Sequence, residues 1–188
     1  MKYVTILILL TISLFASANS YYISPKGNDV TGTGSVKSPW ASLSHASSHA
    51  TATGDIIHVN SGTYTETKQI FLATGVSIEG TGANAVIHSH ITSRGSFLLM
   101  LHSGSENTNG NQHITGVTFD GGATTAYGGV SIFNRGNVIV SGCEFIDFLE
   151  TGIQFNDGSG SNAPVTMAVG NQFYINGVTN CLRTTGSV

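Results

Sequence analysis

The chain has 188 residues, a formal net charge of −3 and only 9% charged residues, against about a quarter in typical soluble proteins. It has no basic patch, which argues against nucleic acid as a partner. Because serine, threonine, asparagine and glycine (24 residues) are abundant, exposed strands must be solvated mainly by hydroxyl and amide groups. Such surfaces are common in proteins that face carbohydrates, and equally in extracellular proteins of low charge.

Residues 1–18 have the features of a secretory signal peptide. Lys2 supplies the positive start, residues 4–15 form an apolar core, and residues 16–18 form a small-residue cleavage site. The apolar run is short for a membrane span, and an N-terminal anchor is the alternative. We therefore expect an exported protein, extracellular or periplasmic, with no membrane association after cleavage. Residues 19–188 are long enough for one domain.

The N-terminal part of this domain mixes strands with one helix. Strands are predicted at residues 21–24 and 54–59, and residues 62–66 follow a turn. Residues 38–46 predict a short amphipathic helix, with Ser38 as N-cap and Pro39 in the first turn. Its apolar face consists of Trp40, Leu43 and Ala46. Such a helix would cap one open end of an array of repeats.

Residues 111–173 repeat themselves. The three similar segments are residues 111–119, 137–145 and 165–173. Each has an apolar-leaning run, then a glycine (Gly116, Gly142 or Gly170), and ends three residues later on a phenylalanine (Phe119, Phe145 or Phe173). The phenylalanines are 26 and 28 residues apart, a period that predicts a solenoid in which each unit packs on its neighbours. A degenerate copy at residues 74–80 matches residues 115–121 in residue type.

Each coil of this solenoid is expected to contain about three short strands, because further apolar pieces lie between the repeats. No sustained 3.6-residue period supports a helical or leucine-rich solenoid. Strands that return every turn stack into parallel sheets. The three phenylalanines should then form one inward ladder, and Thr118, Glu144 and Gln172 an outer row. The predicted fold is all-β, a parallel β-helix with an N-terminal capping helix; a β-sandwich is the alternative.

Three blocks of residues, 21–29, 38–43 and 54–64, carry a resemblance in both order and spacing. Together they resemble the opening of secreted right-handed parallel β-helix proteins of the pectin/pectate lyase-like superfamily. The resemblance implies a right-handed coil and a carbohydrate role outside the cell. It does not imply one reaction, since the superfamily contains lyases, glycoside hydrolases, epimerases and members without known activity.

Candidate catalytic chemistry is sparse in the sequence. Lyases of the resembled superfamily use a lysine or arginine base and often Ca²⁺, so Ca²⁺ is an expectation from resemblance alone. No Asp-rich cluster of oxygen ligands is visible, and no metal site is predicted. Hydrolases would need paired carboxylates, which the acids after Asp120 do not obviously form. His88 and His90 share one face of a strand, but without further ligands we expect solvated or hydrogen-bonded histidines.

A substrate groove is predicted from strand alternation. Val130 and Ile132 should face inward and Ser131 outward, and Gln154 should likewise face outward. The candidate substrate-binding residues on this side are Ser131, Arg135, Gln154, Asp157 and Arg183. Arg183 is expected at the place that matches Arg135 in the next coil. For Arg135 itself, an ordinary turn arginine is the alternative. No catalytic residue is assigned.

Two further expectations concern the cysteines and the C-terminal end. Cys143 and Cys181 are predicted to be buried free thiols, with a disulfide as the alternative. Residues 177–188 begin another coil without a cap, so we expect a truncated chain that frays and self-associates through this open end.

The predicted function is a carbohydrate-active extracellular protein whose partner is a polysaccharide. The first hypothesis is a lyase that acts on a uronate-containing polysaccharide, or the N-terminal part of such a lyase. The alternatives are a non-catalytic carbohydrate-binding or surface-adhesion protein and a structural remnant.

Overall fold

The computed structural model describes residues 18–93, 95–122, 126–156, 167–174 and 180–185, with only the backbone described at 167–169, 173–174 and 180–185. In chain order the elements are β1 Ser20–Ile23, α1 Leu43–His49, β2 Ile56–Val59, β3 Gly62–Glu66, β4 Ile70–Phe71, β5 Ser77–Gly80, β6 Ala85–Ser89, β7 Phe97–His102, β8 Thr108–Thr115, β9 Thr118–Asp120, β10 Gly128–Phe133, β11 Arg135–Ser141, β12 Glu144–Ile146, β13 Thr151–Asn156, β14 Met167–Val169, β15 Gln172–Tyr174 and β16 Asn180–Thr185.

These strands form three all-parallel sheets. Sheet 1 has the order β1-β2-β5-β8-β11-β14, sheet 2 the order β3-β6-β9-β12-β15, and sheet 3 the order β4-β7-β10-β13-β16. From β2 onward the chain visits sheets 1, 2 and 3 in the same rotation. The described part of the chain is therefore predominantly β with one helix, which is consistent with the predicted parallel solenoid of three strands per coil.

The repeated phenylalanines lie in register in sheet 2. Phe145 pairs with Phe119 on one side and Phe173 on the other. The rings of Phe119 and Phe145 are fully buried and stacked, with centroids 5.4 Å apart and planes at 20°. The side chain of Phe173 lies outside the described part. The inward ladder is thus confirmed for two of its three members.

The outer row of sheet 2 is in register as well. Glu144 pairs with Thr118 and Gln172, but Thr118 is buried and donates its hydroxyl to the carbonyl oxygen of Ala83. The glycines that precede the ladder have φ values of +63°, +58° and +63° at Gly116, Gly142 and Gly170. The backbone at all three is therefore left-handed, a conformation that glycine adopts without steric cost.

The predicted upstream copy at residues 74–80 is displaced by one sheet. Ile78 pairs with Ile114 and Glu79 with Thr115 in sheet 1, so this segment does not align with residues 115–121. The two segments are similar in residue type because each begins with a threonine–glycine pair. Residues 74–75 lie just before β5, whereas residues 115–116 lie at the end of β8. Both glycines have positive φ, but they bend the chain at different corners.

The helix begins later than predicted. α1 starts at Leu43, and its N-cap is Ser42, whose hydroxyl accepts a hydrogen bond of 3.1 Å from the backbone N–H of His45. Ser38 instead forms a bridge with Ser35. Trp40 precedes the helix, and its indole N–H donates to the carbonyl oxygen of Gly32 over 3.0 Å. The burial of Leu43 and Ala46 is as predicted.

Two distant carboxylates fix where the helix begins. Asp29 accepts hydrogen bonds of 2.7 Å from the backbone N–H of Ala41 and from the hydroxyl of Ser42. Glu66, which is only 2% exposed, accepts from the backbone N–H of Leu43 over 2.7 Å. The bond from Leu43 satisfies an N–H of the first turn that has no partner within the helix, and the bonds to Asp29 hold the two residues that precede the helix. The acceptors come from outside the helix, so the local pattern could not indicate them.

Glu66 should make stability depend on pH. Burial raises its pKa, hydrogen bonds from Ser44 and Leu43 oppose that shift, and the charge of Asp29 adds to it. A carboxyl whose pKa is raised in the folded state contributes most to the free energy of unfolding below its ordinary pKa. This contribution falls as pH rises through the folded-state pKa. We expect Glu66→Gln to be at least as stable as wild type at neutral pH, and its free energy of unfolding to fall less with rising pH.

Urea unfolding from about pH 4 to about pH 8 would measure the effect. Glu106→Gln, at an exposed position, is the matched control and should leave the profile unchanged. A steeper pH dependence in Glu66→Gln than in wild type would contradict the assignment.

The thiol of Cys143 is free and buried, as predicted, and burial raises its pKa to about 11. The side chain of Cys181 lies outside the described residues, as does the predicted signal peptide through residue 17. Within the described ranges, no helix is long and apolar enough to cross a membrane.

Candidate functional site

The predicted groove lies on sheet 3, whose side chains alternate between the core and the outer face. The inward row consists of Ile70, Leu99, Val130 and Ile153. The next row consists of Phe71, Met100, Ser131 and Gln154, with the backbone of Arg183 in register. Phe71 in this row is 61% exposed, so the row faces outward. The outward direction predicted for Ser131 and Gln154 follows from the same register.

Their predicted exposure to solvent is wrong. Ser131 is 2% exposed and Gln154 is 8% exposed. The Ser131 hydroxyl lies 3.0 Å from Nε2 of His102, and the amide of Gln154 donates to Oδ1 of Asn156 over 3.2 Å. A short serine in the middle of a sheet is covered by longer side chains on the strands beside it. Alternation gives the direction of a side chain but not its accessibility.

Arg135 is also buried rather than solvent-facing, with 6% exposure. Its guanidinium donates to the carbonyl oxygens of Leu72 (2.9 Å) and His102 (2.7 Å). It also donates to the hydroxyl of Ser103 (2.9 Å) and to Oε1 of Gln112 (3.1 Å). Burial lowers the pKa of Arg135 to about 10. These contacts join β11 to the residue after β4, to the end of β7 and to β8, so the arginine is a structural cation.

The remaining candidates are resolved only in part. Gln154 pairs with Arg183, so Arg183 takes the place of Ser131 in the coil and not, as expected, that of Arg135. Asp157 and the side chain of Arg183 lie outside the described residues. The structure therefore brings Ser131, Gln154 and the backbone of Arg183 into one row, and separates Arg135 from them.

An accessible groove lies beside this row, between α1 and β4. Its volume is about 490 Å³, and it is lined by Ser44, Ser47, Ser48, Lys68, Gln69, Ile70 and Phe71. The Gln69 amide is held in place because it donates to the carbonyl oxygen of Phe97 over 3.2 Å and contacts Sδ of Met100 at 2.9 Å. The groove thus combines an exposed aromatic ring, a fixed amide and a lysine.

The serine hydroxyls on α1 have defined roles at this groove. Ser47 donates to the carbonyl oxygen of Ser44 over 3.2 Å, and Ser48 donates to that of His45 over 2.7 Å. Ser47 is only 5% exposed, whereas Ser48 is exposed and its oxygen also lies 3.1 Å from Nδ1 of His49. Because a hydroxyl oxygen has two lone pairs, Ser48 keeps capacity to accept a hydrogen bond from a ligand that carries hydroxyl groups.

Sequence reasoning missed this groove, although two signals were present. Residues 70 and 71 alternate between a buried isoleucine and an outward phenylalanine, which is the pattern of an exposed aromatic on a strand. Four serines lie between residues 42 and 48, which gives the helix a hydroxyl-rich surface. Neither signal shows that α1 and β4 lie next to each other in the fold.

Three histidines of sheets 1 and 2 lie next to carboxylates. Nδ1 of His88 lies 2.8 Å from Oδ2 of Asp120, as expected for a hydrogen-bonded histidine. Glu79 lies between His58 (3.5 Å) and His113 (2.8 Å). In the part of the chain that the structure describes, no group of three or more His, Cys, Asp or Glu side chains could hold a metal ion. These residues do not fit the Ca²⁺ expectation, and we derive no step through Ca²⁺.

No protein family model, curated protein or solved structure matches this chain. The assignment of function therefore depends on the groove and on the resemblance of the N-terminal blocks.

Proposed function

We propose that this chain is an extracellular, polysaccharide-binding, right-handed parallel β-helix protein of the pectin/pectate lyase-like superfamily. The observation that carries the binding proposal is the α1–β4 groove, where Phe71 is 61% exposed beside Lys68 and the serines of α1. A concave surface that combines an apolar ring with a few polar groups has the usual composition of a ligand site.

The chemistry of the groove suits a sugar chain. The C–H face of a pyranose is apolar and can pack on the Phe71 ring, while its hydroxyls can donate to the serine oxygens. The Lys68 ammonium can attract the carboxylate of a uronate residue. We therefore propose an acidic polysaccharide as the preferred ligand.

Substitutions in the groove should separate these contributions. We expect Phe71→Ala to weaken binding of polygalacturonate and of a neutral polysaccharide alike, by about tenfold, because ring packing does not depend on charge. Lys68→Gln should weaken only polygalacturonate, by about fivefold, since an exposed ion pair contributes little. Affinity electrophoresis and isothermal titration calorimetry would measure both effects.

Matched controls are available outside the groove. Phe133→Ala removes another outward aromatic of sheet 3, and Lys37→Gln removes an exposed lysine of the N-terminal loop. Both should bind like wild type. If Phe71→Ala and Lys68→Gln also bound like wild type, the groove would not be the binding site.

A polysaccharide lyase is the second candidate, because Lys68 lines the groove and lysine is one of the bases used by lyases of the resembled superfamily. A base would remove the proton next to the uronate carboxylate, and the glycosidic oxygen would leave to give an unsaturated sugar. Ultraviolet absorbance of that product, with and without Ca²⁺, distinguishes the candidates. Activity abolished by Lys68→Gln would favour the lyase, and binding without product would favour the non-catalytic protein.

A further inference from the structure

A buried carboxylate lies at the first corner of sheet 1. Asp55 directly precedes β2 and is 1% exposed. Its Oδ2 accepts hydrogen bonds from the backbone N–H groups of Thr51 (3.1 Å) and Ala52 (3.0 Å). Its Oδ1 accepts from the backbone N–H of Asn19 (2.9 Å) and from the Asn19 side-chain amide (3.3 Å).

All four of these donors are neutral. Buried carboxylates are normally paired with a cation, and no ion pair to Asp55 occurs among the residues described. One of the donors can acquire a charge. The backbone nitrogen of Asn19 is an amide in the full chain, but it would become an ammonium if the preceding peptide bond were cut.

The bond before Asn19 has the features of a processing site. Ala18 stands directly before it and Ala16 two residues earlier, which is the small-residue pattern of signal-peptide cleavage. Ala18 and Asn19 are both exposed, although the carboxylate that Asn19 contacts is buried. The bond therefore lies at the surface, and its nitrogen is within hydrogen-bond distance of the buried carboxylate.

We propose that a signal peptidase hydrolyses the Ala18–Asn19 bond and that the new α-ammonium of Asn19 forms an ion pair with Asp55. Water is the co-reactant: the C–N bond breaks, Ala18 gains a carboxylate, and the Asn19 nitrogen gains the protons that make it an ammonium. The proposal depends on the predicted signal peptide and is independent of the polysaccharide role.

The ion pair would fasten the edge of sheet 1. β1 is the last strand in the order of that sheet and pairs with β2, beginning with Ser20 opposite Ile56. On its other side Ile23 forms a bridge with Trp40. The carbonyl oxygen of Asn19 already accepts from the N–H of Ile56 over 2.9 Å. The hydrogen bond at 2.9 Å already has a charged acceptor, and an ammonium donor would add the Coulombic attraction of an opposite charge. Processing would therefore stabilise the folded protein after export, and not before it.

The first measurement is the N-terminus of the exported protein. The full-length precursor is expressed in a secreting host, and the product is analysed by intact mass and N-terminal sequencing. We expect a chain that begins at Asn19. A mature chain that begins elsewhere, or an uncleaved product, would overturn the proposal.

The second measurement isolates the charge. Selective acetylation of the α-amine of the exported protein converts the ammonium back into an amide without changing the sequence. We expect acetylation to lower the folding equilibrium constant about tenfold in wild type and less than about twofold in Asp55→Asn. Asp29→Asn, which alters another carboxylate that accepts backbone N–H groups, should retain the full acetylation effect.

An acetylation effect that is absent in wild type, or that is equal in Asp55→Asn and Asp29→Asn, would overturn the pairing. If Asp55→Asn does not fold, the rate of acetylation of the wild-type protein still tests whether the ion pair forms. A paired ammonium should react at least about tenfold more slowly in the folded protein than in urea, because the pair disfavours the free amine. Equal rates in both states would refute the pair.

Discussion

Replacing Phe145 with alanine is expected to lower the free energy of unfolding by about 3–5 kcal/mol. The ring has no exposed surface, stacks on Phe119 at 5.4 Å and contacts Phe148 with centroids 6.4 Å apart. The backbone beside it cannot collapse into the space, because it belongs to hydrogen-bonded strands on both sides. The substitution should therefore leave a cavity in the middle of the ladder.

Urea unfolding followed by circular dichroism would measure this loss. Phe133→Ala is the matched control, since the same side chain is removed where it is 37% exposed, and the expected loss is below about 1 kcal/mol. A loss below about 1 kcal/mol in Phe145→Ala as well would contradict the buried ladder.

The ladder could be predicted from the sequence because stacked coils place equivalent residues in register. Phe119 and Phe145 follow a glycine with positive φ at the same distance, so a short motif locates both the bend and the buried ring. The prediction that residues 74–80 are a further copy was wrong for the opposite reason. Its residue types fit two different corners of the coil, and only strand pairing distinguishes them.

Properties set by distant partners could not be predicted in this way. The start of α1 depends on Asp29 and Glu66, whose carboxylates accept from residues 12 to 23 positions away. The burial of Ser131 depends on side chains from neighbouring coils, with His102 29 positions earlier. The α1–β4 groove likewise requires that a helix and a strand meet, although each segment shows its own part of the pattern.

Arg135 provides the second large expected effect. Arg135→Met keeps much of the apolar stem but removes every donor of the guanidinium. The carbonyl oxygens of Leu72 and His102 and Oε1 of Gln112 would each lose a hydrogen bond. An unsatisfied buried polar group costs about 1–3 kcal/mol, so we expect a total loss of about 3 kcal/mol or more in the free energy of unfolding.

Arg135→Lys should recover only part of this loss, because one ammonium cannot reach acceptors on three separate segments at once. Wild-type stability in Arg135→Met would show that burial of the charge costs as much as its hydrogen bonds contribute. It would contradict the structural role.

A titration can separate the charge of Arg135 from its hydrogen bonds. Partial burial of the ring lowers the pKa of His102, and the positive charge of Arg135 lowers it further. In Arg135→Met the second cause disappears while the first remains, so the pKa of His102 should rise but stay below its ordinary value. NMR titration of the His102 ring would measure this shift in the folded protein. An unchanged pKa would mean that the guanidinium does not lie beside His102, and the same result would remove the basis for the predicted loss of stability.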